Sequence, residues 1–296
     1  MVHTATDSAP APPARRYGFT SEELAGRSTV YRSDLLEGRS FIVSGGGSGM
    51  GRATAFLMAR LGARVMVCGR DEGKLLAVAH EVERLVGRRV LHCAVDIRAL
   101  GQVERALDHA FTEFGTVDGL VNSAGGQFAQ NAIDFSSKGW NAVIDTNLNG
   151  TWSMIQQAAL RWRERAQAAC IVNVVAAFER GIPQLAHTAA ARAAVTYLSK
   201  SVAVEWAPLN IRINCIAPGT IETEGLNQYG PALSGRLGKS NPMRALGDAW
   251  DIAQAAVYLC SDAAKFITGE IVHVDGGMQM WGNTFPLGVP EHLKEA

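Results

Sequence analysis

From residue 40 onward, short runs of apolar and β-branched residues alternate with longer stretches in which apolar residues recur at helical spacing. The short runs fall at 40–43, 63–69, 90–96, 119–125, 169–175, 211–219 and 269–277. Between them the spacing predicts helices over Met50–Leu61, 71–86, 98–115, within 141–168, 188–207 and 250–261. Strands that alternate with helices of this length imply βαβ units and a parallel sheet. The strand runs are apolar throughout rather than at every second position, as expected when helices cover both faces. The predicted fold is therefore α/β: a single doubly wound parallel seven-stranded sheet with helices on both faces, spanning residues 38–282. Residues 1–37 read as a mostly irregular N-terminal arm and 283–296 as a C-terminal tail. The first 26 residues, rich in Ala, Pro and small polar side chains, are expected to be mobile.

Composition narrows the function. The chain has 28 basic and 28 acidic residues, which gives no basic excess for a nucleic-acid partner. No apolar run approaches the roughly 18 residues of a membrane span. The N-terminal stretch lacks the apolar centre of a secretory signal, and Asp7, Glu22 and Glu23 interrupt a mitochondrial presequence. The five cysteines are dispersed with no CxxC pair, which fits buried thiols in a reducing compartment. A cytoplasmic protein without a metal site, acting on a small molecule, is expected.

The first strand runs into SGGGSGMGRA. Its glycines Gly45, Gly49 and Gly51 follow a GxxxGxG spacing. Alone, such a cluster reads equally as a flexible turn. Between the first strand and first helix of a βαβ series, it suits a loop whose amides and helix N-terminus meet a pyrophosphate. The second strand ends VCGRD. An acid at that point would bind the 2′-hydroxyl of NAD, but Gly69 and Arg70 stand there instead, which favours the 2′-phosphate of NADPH. The other reading keeps Arg70 as a solvated residue at a helix start, with Asp71 as its cap.

Further landmarks fall at strand ends in order: Asp96-Ile97, Asn122-Ser123-Ala124-Gly125, Asn147 in DTNLNG, Pro218-Gly219 and Val274-Asp275-Gly276-Gly277. With SGGGSGMG they resemble the short-chain dehydrogenase/reductase family over residues 38–280, departing mildly at Ser44 and Ser123. The resemblance implies a Rossmann-type fold. It also implies a cofactor site formed by Gly45, Gly47, Ser48, Gly49, Met50, Gly51, Arg70, Asp96, Ile97, Asn122, Ala124, Gly125, Arg192, Pro218, Gly219 and Ile221.

That family's usual catalytic set is Asn, Ser, Tyr and Lys, the last two spaced YxxxK. Here the segment is QLAHTAAARAAV, residues 184–195. Aligned on its final AAV, the Tyr and Lys positions fall on Thr188 and Arg192, and the Ser position on Val175 or Ala176. Asn147 alone keeps its usual identity. A threonine hydroxyl cannot approach a neutral pKa as a phenol can. An arginine stays charged and does not relay protons. Carbonyl reduction is thereby disfavoured. Reduction of an activated C=C bond remains open, because the enolate oxygen needs hydrogen-bond donors more than a strong acid.

The variant pattern resembles the enoyl-CoA and 2,4-dienoyl-CoA reductase branch, its peroxisomal members especially. The matching stretches are GGQFAQNAIDFSSKGWNAVIDTNLNGT, LAHTAAARAAV, AVEWAPLNIRINCIAPG and ETEGLNQYG. The resemblance implies an acyl-CoA substrate and offers Asp275 for proton transfer, against its reading as a strand-end turn residue. The catalytic candidates are thus Asn147, Thr188, Arg192 and Asp275. Substrate candidates are Phe128, Tyr229, Arg236 and Lys239, with Arg244 beside them, the last four lying in a long polar segment after Gly219 suited to a lid. Two other readings stand. One is a ketone or alcohol oxidoreductase with a substitute acid such as His187 or Tyr197. The other is a non-catalytic nucleotide-binding scaffold. The helices 141–168 and 188–207 resemble those through which the family self-associates, implying a homotetramer or homodimer.

Overall fold

The computed structural model describes residues 17–228, 237 and 240–280. Seven parallel strands form one sheet: β1 (Ser40–Ser44), β2 (Arg64–Gly69), β3 (Val90–Ala94), β4 (Gly119–Asn122), β5 (Ala169–Val174), β6 (Ile211–Pro218) and β9 (Ile271–Val274), in the order β3-β2-β1-β4-β5-β6-β9. This is the expected doubly wound sheet. Strand order reverses at β1, which pairs with β2 on one side and β4 on the other. A crevice at the carboxyl ends of β1 and β4 follows from that reversal.

Successive strand residues enter different layers, which explains why the strands read as unbroken apolar runs. Phe41, Val43, Val65 and Val67 pack with α2 (Gly49–Arg60), α3 (Glu72–Val86) and α8 (Ala249–Cys260). Ile42, Met66, Leu120 and Ile171 pack with α4 (Leu100–Phe114), α6 (Gly150–Glu164) and α7 (Ala186–Trp206). Among the described residues Trp162 is the largest fully buried side chain, and its indole N–H donates to Val117 O at 2.6 Å, so the ring is buried without an orphaned donor.

Four features differ from the sequence reading. The segment expected to be mobile, residues 1–26, is packed onto the domain from residue 17 onward. Thr20 and Glu23 form a capping box on α1 (Ser21–Gly26), and Leu24 and Leu36 are buried. Arg60 donates to Leu24 O and Arg27 O, and the Trp250 indole donates to Ser28 O. The signals for this packing lie on α2 and α8, far away in sequence. Second, the predicted long helix is α5 (Ser137–Ile144) joined to α6 by a π-helical turn, Asp145–Asn149. Third, β3 and β9 stop short of their predicted ends. Fourth, a small parallel pair, β7 (Ile221–Glu222) with β8 (Gly247–Asp248), ties the segment after β6 to the start of α8.

Among the described residues no helix is long and apolar enough to cross a membrane, and no group of three His, Cys, Asp or Glu residues is placed to hold a metal ion.

Candidate active site

The glycine loop turns because its residues lack side chains. Gly45 has φ +74°, and a Cβ there would lie 2.6 Å from Ala124 N across the crevice. A Cβ on Gly51 would collide with Gly45 O. Gly49 opens α2 at φ +51°, a conformation that glycine adopts without strain. Gly47 and Ser48 complete the turn, with Ser48 at the N-cap position of α2. The first amides of α2 thereby face the crevice, with no cap from the Ser48 side chain.

One of those amides has an internal partner that sequence reasoning missed. Gly49 N–H donates to Glu224 Oε2 at 3.1 Å, and Arg52 pairs with Glu224 Oε1 at 3.3 Å. A carboxylate from the segment after β6 therefore rests against the positive end of α2.

At the far end of the crevice, Arg70 follows β2 with no hydrogen bond or ion pair among the described residues. Asp71 caps α3 by accepting from Lys74 N at 3.1 Å. Asp96 is gripped by Arg98, whose Nε and Nη2 reach its two oxygens at 2.8 and 2.6 Å. That hydrogen-bonded cation holds the Asp96 carboxyl below its usual range. Ile97 is buried against Gly150. Asn122 turns inward and donates to Asn173 Oδ1 at 2.9 Å; its own Oδ1 and the Ser44 hydroxyl beside it are buried without partners. The backbone cradle and the helix N-terminus at the crevice fit a pyrophosphate, and Arg70 is exposed just after β2.

The crevice opens into a cleft of about 790 Å³ lined by Met50, Gly125, Asn147, Thr188, Arg192, Pro218, Gly219 and Ile221, eight of the expected site residues. Val175 and Ala176 also line it. Asn147 sits in the π turn, 1% exposed. Its amide clamps Gly126 twice, accepting from N–H and donating to the carbonyl, each at 3.0 Å. A π turn at a functional position is a common device for re-aiming one side chain.

On α7 the buried positions include Thr188, Arg192, Thr196 and Ser199, a polar stripe at helical spacing. Arg192 is 9% exposed, and no protein group among the described residues hydrogen-bonds its guanidinium. Burial lowers it to about 10, opposed by the Cys215 thiol behind it, so it is charged at neutral pH. A buried cation with no protein partner, open to a cleft, calls for a ligand.

His187 lies behind Thr188. Its ring is fully buried, stacked on Phe135 at 4.5 Å and edge-on to Phe128 at 4.7 Å. Nδ1 accepts Thr188 N–H at 2.7 Å and lies 3.3 Å from Thr188 Oγ1. Nδ1 therefore carries a lone pair, and Nε2 is buried without a partner. Burial pushes this imidazole below its usual pKa. His187 is placed to orient Thr188, not to donate a proton to the cleft.

Several expectations need correction. Asp275 is 8% exposed and does not line the cleft. Its oxygens accept Gly277 N–H at 2.8 Å and Gln279 N–H at 2.9 Å, which is the turn reading. Phe128 turns away from the cleft onto His187, while its neighbours Gln127 and Ala129 line the wall. Tyr197 is 67% exposed on α7 beneath the Lys200 ammonium, neither core nor donor. Arg244 is exposed and outside the cleft lining. Tyr229, Arg236 and Lys239 lie outside the described residues.

The sequence reading also missed the apolar part of the cleft wall, formed by Ile182, Pro183, Leu185, Leu226 and Leu237. Its members come from two segments without periodic pattern. Gln184, within that wall, has φ +64° and donates its side-chain amide to Asn131 at 3.2 Å. Left-handed backbone at a glutamine is a feature that clusters at functional sites.

The sequence profile of the family described as "Enoyl-(Acyl carrier protein) reductase" matches residues 45–279. The chain is 36% identical over 269 residues to the peroxisomal 2,4-dienoyl-CoA reductase [(3E)-enoyl-CoA-producing] of Mus musculus, covering 90% of this chain and 91% of that one. It is 34% identical to a 3-oxoacyl-[acyl-carrier-protein] reductase of Chlamydia trachomatis, covering 83% and 99%. Among solved structures, a citronellol catabolism dehydrogenase of Pseudomonas aeruginosa superposes with a TM-score of 0.76 at 32% identity, over 85% of this chain and 99% of that one.

Proposed function

We propose that this chain, which belongs to the short-chain dehydrogenase/reductase family, is an NADPH-dependent reductase of an activated C=C bond in an unsaturated acyl-CoA, a trans-2-enoyl or 2,4-dienoyl thioester. Its oxidoreductase character is that of its family, whose members use nicotinamide cofactors. The finer reading rests on one observation. The cleft presents Arg192, Thr188 and Asn147 where the usual family set has ammonium, phenol and amide, and no lysine or tyrosine lines it among the described residues.

The glycine loop and α2 N-terminus would hold the dinucleotide phosphates, Arg70 the 2′-phosphate, and Arg192 the nicotinamide ribose; when bound, NADPH supplies hydride. The chain's own task is then electrostatic. Reduction at the far carbon of a conjugated thioester places negative charge on the thioester oxygen. Arg192 supplies a fixed positive potential, and Thr188 a neutral donor held by His187. A positioned donor needs no pKa near 7 when it only hydrogen-bonds the developing oxyanion. The apolar wall of Ile182, Pro183, Leu185, Leu226 and Leu237 suits an acyl chain, and the exposed Arg180 at the rim suits the phosphates of coenzyme A. The similarity to a dienoyl-CoA reductase supports the same substrate class.

Self-association through the α5–α7 face belongs to this reading. Trp140 on α5 and Tyr197 and Val204 on α7 are exposed apolar side chains that an association through these helices would cover.

Transfer from deuterated NADPH tests the proposal. Deuterium on a carbon of the acyl chain, with the thioester carbonyl intact, is expected. Label on a carbinol carbon, or no transfer, would sink it. The carbinol outcome would favour the second reading, carbonyl reduction, for which the 3-oxoacyl reductase relative speaks.

A further inference from the structure

A second cavity, about 630 Å³, opens at the opposite end of the sheet, where β4, β5, β6 and β9 begin. Two thiols line it: Cys170, near the start of β5, and Cys260, the last residue of α8. Cys170 Sγ approaches Cys260 O at 3.8 Å and Asp118 O at 3.6 Å. Arg39 donates to that same Cys260 carbonyl at 3.3 Å, and Arg212 donates to Leu259 O at 3.0 Å. Two guanidiniums, one just before β1 and one on β6, therefore hold the last turn of α8 at this cavity. Room for the Cys170 sulfur is made by Gly119, where a Cβ would stand 2.7 Å from Sγ.

We propose that Cys170 and Cys260 form an oxidisable dithiol, a modification site that a hydroperoxide converts to an intramolecular disulfide remote from the cleft.

Selectivity follows from environment. The adjoining Cys260 side chain and the nearby Arg212 and Arg39 lower the Cys170 thiol, outweighing its burial and the Asp118 carboxylate. Cys68 and Cys215 are pushed by burial to about 12 and about 11 and stay protonated. Thiolate is the reactive form. Cys170 attacks the hydroperoxide; its O–O bond breaks, one oxygen stays on sulfur as sulfenic acid, and the other leaves as water or an alcohol. Cys260 then attacks the Cys170 sulfur, the S–O bond breaks, and a second water departs as the disulfide forms. The two thiols lose two electrons and two protons in total, and one peroxide is reduced.

Full-length reduced protein treated with hydrogen peroxide at high dilution, then read by intact mass and non-reducing peptide mapping, decides the matter. The expected shift is the loss of two hydrogens, with the peptides bearing Cys170 and Cys260 joined. Cys260→Ser should halt the reaction at a sulfenic acid on Cys170 that dimedone captures, and Cys170→Ser should abolish both products. An unchanged mass at a dose that fully oxidises a small dithiol would overturn the proposal. So would oxidation centred on the partly exposed Cys93. If a serine variant fails to fold, the map of the unaltered protein still identifies or excludes the pair.

Discussion

Gly125 lies directly beneath the Arg192 guanidinium, so close that a methyl group on its Cα would occupy the space of Nη2. The same methyl would come within 3.0 Å of Asn147 Oδ1. One glycine in the loop after β4 thus sets where the cation of α7 and the amide of the π turn sit. All three line the cleft.

Gly125→Ala should therefore displace Arg192 while leaving the sheet intact, since the clash is with side-chain ends. NADPH affinity, read by quenching of protein fluorescence, should fall at least about tenfold, the scale of one lost hydrogen bond to a charged group. Unchanged affinity with unchanged thermal stability would show that Arg192 plays no part in binding.

Arg192→Met separates binding from folding. A buried cation without a protein partner costs stability, and an apolar side chain of similar length removes that cost. The variant should melt at the same temperature as the parent or higher, yet bind NADPH roughly ten- to a hundredfold more weakly. A marked loss of thermal stability would mean that the guanidinium is part of the folding core.

Glu224 rests on the α2 amide that a cofactor phosphate would need. Glu224→Gln removes a charge at a helix N-terminus, worth about 0.3–1 kcal/mol. NADPH should bind about two- to fivefold tighter, most visibly at low salt. Weaker binding in calorimetric titrations would assign Glu224 a supporting role instead.

His187 gives a pH signature. Its folded-state pKa lies below the ordinary value of 6.5. Above that value both folded and unfolded imidazoles are neutral and stability is at its full level. As the pH falls through 6.5, the unfolded chain takes up a proton that the buried ring refuses, and stability declines by at most about 1.4 kcal/mol per pH unit. Denaturant melts at successive pH values should show this slope in the parent and lose it in His187→Asn. Parallel slopes would show that the ring titrates freely.

The sheet was legible because its strands are short, mostly apolar and β-branched runs, spaced by helix-length segments, with the loop glycines directly after the first of them. Thr188 and Arg192 were legible as a four-residue spacing in an alanine helix. Asp275 was misread because a carboxylate that caps a turn and one that moves protons look alike until its two amide partners are known. Phe128 was misread for a similar reason: the chain's path places Gln127 and Ala129 in the wall and turns the ring between them onto His187. Glu224 and the packing of residues 17–37 depend on long-range contacts that no local pattern encodes.

The most direct measurement is the rate of NADPH oxidation by the purified protein with three thioesters compared side by side: a 2,4-dienoyl-CoA, a trans-2-enoyl-CoA and a 3-oxoacyl-CoA. With no phenol at residue 188, turnover is expected with at least one of the unsaturated thioesters, abolished by Asn147→Ala, and none with the 3-oxo compound. Turnover confined to the 3-oxoacyl thioester would contradict C=C reduction and return the cleft to carbonyl chemistry.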